Sequence, residues 1–305
     1  MIEVQNLTKT FGSHLAVDSI SFEAHKGEVV GFLGPNGAGK TTTMRMLTGF
    51  IPPTSGQAKV AGFDVFTDSL EVRRRVGYLP ETVPVYPDMT VYGYIKFWAE
   101  LRGLRKPRRR VEEVIEQVQL TERRNSLIRN LSKGMRQRLG LAQAIVHNPE
   151  VIILDEPTIG IDPQQVIEVR DSVRALGQNH TVLFSTHILS EAEQVCDRVL
   201  IINQGRIVAE GTPANLRRKL QPDPHLYVLI GGAAPEQISA LLSQIDGVES
   251  IDAQGEGWIV RARNGQDIRA TISEQVTQSG LQLLELRPVA MTLEDMFLDI
   301  VGRTS

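Results

Sequence analysis

Apolar residues along this chain alternate, run unbroken or recur at helical spacing, and each pattern predicts a different element. Ile2, Val4 and Leu7 open a strand, and Ser21 to Ala24 continue the pattern up to a turn at Lys26-Gly27. Val29-Val30-Gly31-Phe32-Leu33 is almost wholly apolar, as a strand buried on both faces of a sheet would be. It stops at a loop rich in Gly, Pro and Asn, beyond which Thr41–Leu47 has helical character. Residues 85–150 read as mostly helical: Val111, Val114, Ile115 and Val118 recur at helical spacing, and 133–146 repeats the pattern. Val151–Leu154 and Thr181–Phe184 are short apolar strands, each followed by a polar turn. Val199–Ile202 and Arg206–Ala209, joined by Asn203-Gln204-Gly205, predict a hairpin.

The pattern changes after Gln221-Pro222-Asp223-Pro224, where two prolines break the preceding helix and mark a linker. Residues 226–230 and 258–263 alternate like strands, 235–244 and 267–278 read as helices, and Leu281–Leu286 is a further strand. The order is close to β-α-β-β-α-β, which predicts a small α+β domain. A last helix, Thr292–Val301, starts at a Thr cap with Asp295 three residues on, and carries Leu293, Met296, Phe297 and Ile300 on one face.

Composition narrows the classes. A chain of 305 residues has room for two domains at ~150 residues each. Its net charge of −3 argues against a nucleic-acid binder, which would normally be basic, and no nucleic-acid partner is expected. A single cysteine, Cys196, excludes an internal disulfide framework and fits a reducing compartment. No stretch approaches the ~18 consecutive apolar residues of a membrane span. The start, MIEVQNLTKTFG, lacks the basic and apolar regions of a secretory signal. The expectation is a cytoplasmic chain that reaches a membrane only by binding something already there.

The candidate chemistry lies where strands end. Gly34-Pro35-Asn36-Gly37-Ala38-Gly39-Lys40-Thr41 fits the phosphate-loop pattern G-x-x-x-x-G-K-[ST] in full, between a strand and a helix. Its glycines let successive N–H groups turn inward on phosphate oxygens, and the helix N-terminus adds its positive dipole end. Asn36, Gly37, Ala38, Gly39, Lys40, Thr41 and the following Thr42 are the candidate nucleotide-binding residues. Lys40 supplies a charge for the β- and γ-phosphates, and the Thr41 hydroxyl can ligate Mg²⁺. Val151-Ile152-Ile153-Leu154-Asp155-Glu156 delivers two carboxylates at the end of a strand, where open α/β sheets bind ligands. Asp155 is the candidate Mg²⁺ ligand and Glu156 the base that polarises the attacking water. His187, after Thr181–Phe184, can present a neutral donor to a γ-phosphate.

GPNGAGKT, LSKGM, VIILDEP, the Gly160-Ile161-Asp162 turn and STH occur in the order and rough spacing of the ATP-binding cassette (ABC) transporter ATPases. The chain resembles that family over about residues 2–218. The resemblance implies an α/β fold: a P-loop cassette over 1–220 with a helical subdomain inserted at about 85–150, followed by a small α+β, ferredoxin-like domain over 221–305. It implies ATP and Mg²⁺ as cofactors and ATP hydrolysis as the activity. It also matches Phe11, with Val17 beside it, to the aromatic that stacks on adenine. Gly77-Tyr78-Leu79-Pro80-Glu81 matches the loop that joins core to helical subdomain and contacts Mg²⁺, and Asp162 matches the loop that crosses a dimer interface. Through Ser132 and Gly134, LSKGM would contact the γ-phosphate held by a partner cassette.

Three positions depart from the family pattern, one of them Met135, which stands where the signature usually has Gln. Lys133 replaces a glycine and brings positive charge toward a triphosphate. Glu81 replaces the usual Gln; a carboxylate still ligates Mg²⁺ but adds negative charge, which implies intact nucleotide binding with altered hydrolysis or coupling. The ending Met291–Leu298 resembles the tails of drug-export, sodium-efflux and gliding-motility ATPases. The expected partners are transmembrane permease subunits and a second cassette, in a homodimer or a mixed pair, at the inner face of the cell membrane. The alternative is a soluble ABC-family ATPase not coupled to transport. Two softer features are the basic run Arg102–Arg110, a solvated face or a contact with anionic headgroups, and the aromatics Tyr86, Tyr92, Tyr94, Phe97 and Trp98. The resemblance puts the groove for a membrane subunit near those aromatics.

Overall fold

Alternation at the N-terminus resolves into two long antiparallel strands, β1 (Ile2–Phe11) and β2 (His14–Ala24), paired from Ile2 opposite Ala24 to Phe11 opposite His14. They are followed by β3 (Val29–Leu33) and α1 (Lys40–Leu47), then β4 (Ser55–Val60), β5 (Phe63–Asp64), α2 (Ser69–Arg75) and β6 (Val76–Leu79). Three helices come next, α3 (Val91–Leu101), α4 (Arg108–Gln117) and α5 (Lys133–Ile145). The rest of this part alternates β7 (Val151–Asp155), α6 (Pro163–Gly177), β8 (Thr181–Thr186), α7 (Leu189–Val195), β9 (Arg198–Asn203) and β10 (Arg206–Gly211). The computed structural model describes residues 1–220, 225–263 and 266–289. It divides into two units, Met1–Pro213 and Ala214–Ser305.

In the first unit, one sheet is antiparallel in the order β2-β1-β4-β5. The other has six strands in the order β10-β9-β3-β8-β7-β6, with β10 antiparallel at one edge and the rest parallel. All five residues of β3 are buried, because parallel neighbours flank it on both sides and both faces are covered. Between the sheets lies one apolar core: Val4, Leu7 and Ile20 of the first sheet meet Met44 and Leu47 of α1 and Val30, Phe32, Ile153 and Leu183 of the second. The parallel register sets Leu33 opposite Thr186 and Asp155 opposite Ser185, so β3, β8 and β7 all end along one edge.

The stretch predicted as mostly helical holds α3, α4 and α5, separated by turns. Thr90 caps α3 by accepting from the Gly93 N–H, and Ser132 caps α5 by accepting from the Met135 N–H. Part of the basic run is used internally. Arg110 donates to the carbonyls of Ile145 (2.8 Å) and Val146 (3.1 Å), closing the C-terminal end of α5.

Just past that end, His147 is held neutral. Burial, reinforced by the nearby Arg102 charge, lowers its pKa from 6.5 to about 4, while its ring Nε2–H donates to the Val76 carbonyl at 3.2 Å. A base with a depressed folded-state pKa leaves stability whole above pH 6.5, and that stability is lost as pH falls toward about 4. At 1.36 kcal/mol per pH unit the loss reaches up to about 3 kcal/mol. Urea midpoints at pH 7 and pH 4.5 are therefore expected to differ less in His147→Gln than in wild type; equal differences would refute it.

The second unit opens with α8 (Pro213–Leu220), which begins at the boundary residue. It continues as β11 (His225–Gly231), α9 (Pro235–Gln244), β12 (Val248–Gln254), β13 (Gly257–Ala262), α10 (Arg269–Gln278) and β14 (Gln282–Val289). Its sheet is wholly antiparallel in the order β12-β13-β11-β14. Leu226, Val228 and Ile230 of β11 pack with Ile238 and Leu242 of α9 and Ile272 and Val276 of α10. The predicted linker Gln221–Pro224 and the predicted helix Thr292–Val301 lie outside the described residues.

Candidate active site

The edge where β3, β7 and β8 end is a cleft of about 400 Å³, lined by Phe11, Asn36, Gly37, Gly39, Lys40, Thr41, Thr42, Glu81 and Glu156. The loop after β3 takes this shape because its glycines allow it. Gly39 caps α1 with φ +104°, and a Cβ there would sit 2.6 Å from the Ala16 carbonyl oxygen. No side chain caps α1 and no acidic residue occupies its first turn, so its first N–H groups face the cleft with the positive dipole end.

Lys40, 5% exposed, is the charge centre. Its Nζ donates to the Gly34 carbonyl at 2.7 Å and lies 3.1 Å from Glu156 Oε1. Glu156 has φ +48°, a strained conformation for a non-glycine residue. Its N–H is held by both the Ser185 hydroxyl (3.0 Å) and the Ser185 carbonyl (3.2 Å). Its other oxygen, Oε2, accepts from the His187 Nδ1–H at 2.8 Å. Lys40, Glu156 and His187, delivered by three different strand ends, thus form one contiguous chain of contacts.

Asp155 sits deeper, fully buried. Its Oδ1 accepts from Ser185 Oγ (2.8 Å) and Thr41 Oγ1 (3.2 Å). Burial above all, and then the Glu156 and Glu81 carboxylates, push its pKa above the usual aspartate range. The same burial and the Asp155 charge push the Tyr78 phenol up to about 12. Oδ2 of Asp155 is buried without a hydrogen-bond partner. An unpartnered carboxylate oxygen beside a threonine hydroxyl is a hard-oxygen donor set that fits Mg²⁺. Among the described residues, no three His, Cys, Asp or Glu side chains are arranged to hold a metal.

Two predicted contact residues are placed elsewhere. Val17 is wholly buried in the core, its Cγ2 beneath Gly39, and does not line the cleft beside Phe11. His14 and Ala16 line it there, because in β2 alternate side chains turn to opposite faces. Ala38 is 2% exposed, packs in the core and donates its N–H to the Pro35 carbonyl at 3.2 Å. It shapes the loop from beneath. Phe11 is half exposed, with the Lys9 ammonium 5.1 Å from its ring centre. The segment read as a loop at Gly77–Glu81 begins as strand: Val76–Leu79 form β6, parallel to β7, and only Pro80 and Glu81 lie past its end.

Gly134 and Asp162 meet in a second place, at Gln165, and Ser132 caps the helix that carries Gly134. Asp162 Oδ1 accepts from the Gln165 N–H at 3.0 Å and so caps α6. The Gln165 carboxamide occupies the space a Cβ on Gly134 would need, and the Lys133 amine lies over Gly160. Ser132 is exposed and Gly134 buried. None of these three residues lines the cleft of its own chain. The sequence reading missed Gln165, His14, Ala16 and Ser185; Ser185, one residue past the apolar run, was open to a reading as an aid to the acidic pair.

The sequence model described as "ABC transporter" matches residues 17–159. The chain is 34% identical to the linearmycin resistance ATP-binding protein LnrL of Bacillus subtilis, over 100% of this chain and 99% of that protein. It is 34% identical to the bacitracin transport ATP-binding protein BcrA of Bacillus licheniformis, covering 99% and 97%. To the Nod factor export ATP-binding protein I of Ralstonia nicotianae it is 34% identical, covering 99% and 94%. Among solved structures, an ATP-binding subunit of an ABC transporter superposes with TM-score 0.66 at 30% identity, covering 72% of this chain and 92% of that one. A dimeric cassette in a post-hydrolysis state bound to ADP and phosphate superposes with TM-score 0.64 at 23% identity, a likeness of fold alone.

Proposed function

Since the chain belongs to the ABC transporter family and is an ATP-binding, ATP-hydrolysing subunit that uses Mg²⁺, we propose that it is the motor of an exporter. Two cassettes close around two MgATP, open after hydrolysis and drive separate membrane subunits. The observation that carries the export reading is the extent of the likeness to transport, export and resistance ATP-binding proteins: it runs through the second unit as well as the first.

At the site, Lys40 and the N–H groups of Asn36, Gly37 and Gly39 hold the phosphates, with Thr42 beside them. Thr41 and Asp155 hold Mg²⁺, with Glu81 completing the acidic side of the cleft. Bound there, the ion neutralises charge on the β- and γ-phosphate oxygens. Glu156 accepts a proton from water aimed at the γ-phosphorus, and His187, through its Nδ1–H, orients that carboxylate. Phe11 stacks on adenine. Ser132 and Gly134 act on the nucleotide of the partner cassette, and Asp162 holds the turn that reaches across. Their separation from the cleft of their own chain supports a role in trans.

The three helices over 85–150 form the inserted helical subdomain. Tyr86 and Phe97, 52% and 39% exposed and stacked edge to face at 6.0 Å, offer the membrane subunit a docking surface there. Residues 221–305 form the accessory domain; the strand order β12-β13-β11-β14 supports a ferredoxin-like arrangement. No helix among the described residues is long and apolar enough to cross a membrane. The chain works at the inner face of the membrane through its permease. Affinity purification from detergent-solubilised membranes of cells expressing the tagged chain is expected to recover a polytopic membrane protein in near-equal amount. Recovery of the chain alone, while its ATPase persists, would favour an ATPase uncoupled from transport.

A further inference from the structure

Glu191 is a buried carboxylate outside the cleft, 6% exposed, on α7. A single oxygen, Oε2, accepts two hydroxyls: Thr158 Oγ1 at 2.7 Å and Thr186 Oγ1 at 2.9 Å. Thr158 lies two residues past Glu156, and Thr186 immediately precedes His187. Both threonines are themselves buried, at 5% and 0% exposure. The Thr186 hydroxyl also accepts from the Ile188 N–H at 3.0 Å, so the residues on both sides of His187 are fixed through one side chain.

This matters because His187 is not held by packing: its side chain is 37% exposed, whereas that of Glu156 is 6% exposed. Their 2.8 Å hydrogen bond depends on where the two loops put them. A buried carboxylate oxygen shared by both loops ties their positions together. If either loop moved alone, a buried acceptor oxygen would lose a partner.

We propose that Glu191 is a positioning residue for ATP hydrolysis: it clamps the strand exits after Asp155 and before His187 and so keeps His187 against Glu156. The inference rests on the roles proposed above for those two residues. Glu191 does not line the cleft, so its loss is expected in turnover and not in binding.

The test is a double-mutant cycle on the full chain, reading kcat and KM for MgATP together with thermal stability. Glu191→Ala is expected to lower kcat about 30-fold with KM within about 2-fold of wild type. In a His187→Ala background the same change is expected to lower kcat by less than about 3-fold, because the geometry it protects is already gone. Glu191→Gln, whose amide oxygen still accepts both hydroxyls, is expected to recover kcat to within about 3-fold. Should Glu191→Ala fail to fold, Thr186→Val removes one arm of the clamp, keeps the carboxylate, and is expected to cost about 10-fold in kcat at constant KM. Equal losses in both backgrounds would mean a general structural role and overturn the proposal. So would a rise in KM in step with the fall in kcat, or a kcat that does not change. If His187→Ala itself leaves kcat intact, the role given to His187 fails, and this proposal with it. If His187→Ala lowers kcat and Glu191→Ala does not, only this proposal fails.

Discussion

Glu156→Gln is expected to lower kcat about 10³-fold while leaving MgATP affinity within about 3-fold, the range spanned by removal of a general base. The replacement is isosteric, so the packing of a side chain that is 6% exposed is kept. What is lost is basicity: an amide cannot take a proton from water. The negative charge 3.1 Å from Lys40 also disappears, which leaves the ammonium freer for phosphate. The two bonds from the Glu156 N–H to Ser185 are made by the backbone and are kept, while the side-chain contacts with Lys40 and His187 lose the charge of the carboxylate. With hydrolysis blocked and binding intact, the variant should accumulate as an ATP-dependent dimer, which light scattering detects. Turnover within 10-fold of wild type would remove Glu156 from the chemistry. If the variant binds ATP and stays monomeric, either LSKGM does not complete a partner's site or the true partner is a different cassette.

Gly77→Ala is expected to carry a large stability cost for a single added methyl group. A Cβ at this position would lie 2.2 Å from the Ala144 carbonyl oxygen and 2.9 Å from its carbon, with Pro149 Cγ at 3.0 Å. The oxygen belongs to the last turn of α5, and backbone in a helix that packs on β6 cannot step aside as a side-chain tip can. Overpacking of this kind costs about 3 kcal/mol. In a domain of this size that corresponds to a melting temperature about 6–12 °C lower. Because α5 carries Ser132 and Gly134 at its other end, a surviving fold should also dimerise less well around ATP. A melting temperature within about 2 °C of wild type would show that α5 is free to shift. Gly134 contrasts with this: a Cβ there meets the flexible Gln165 side chain, so the clash alone does not fix a large cost.

The sequence was legible where one segment carries its own reason. The loop at 34–41 demands glycines for its turns and a lysine and threonine for its chemistry, all within eight positions. Val29–Leu33 and Val151–Asp155 are buried along their whole length, and their composition says so. The segments left unread were those whose burial is partial or imposed from outside. In β4, only Ala58 and Val60 of six residues are buried, so Ser55–Val60 reads as a polar turn until β1 pairs with it. Val76–Leu79 looks like the start of a loop, and becomes strand only because β7 offers it a parallel edge. Val17 and Ala16 are neighbours in sequence, and one faces core and the other cleft by the register of β2 against β1.

What the sequence by itself determined is therefore the inventory of the chemistry: a phosphate loop, an acidic pair at a strand end, a histidine one strand on, and a signature with a lysine in it. What only the tertiary structure decided is which of these meet. Thr41 reaches Asp155 across 114 positions, and Lys40 reaches Glu156 across a similar span. The cause is the sheet order, in which β8 lies between β3 and β7 with the three strands ending in register. The same order brings Thr158 and Thr186 to one oxygen of Glu191. Strand order and register are set by packing of the whole core, to which every buried side chain contributes, so no local pattern of residues can state them.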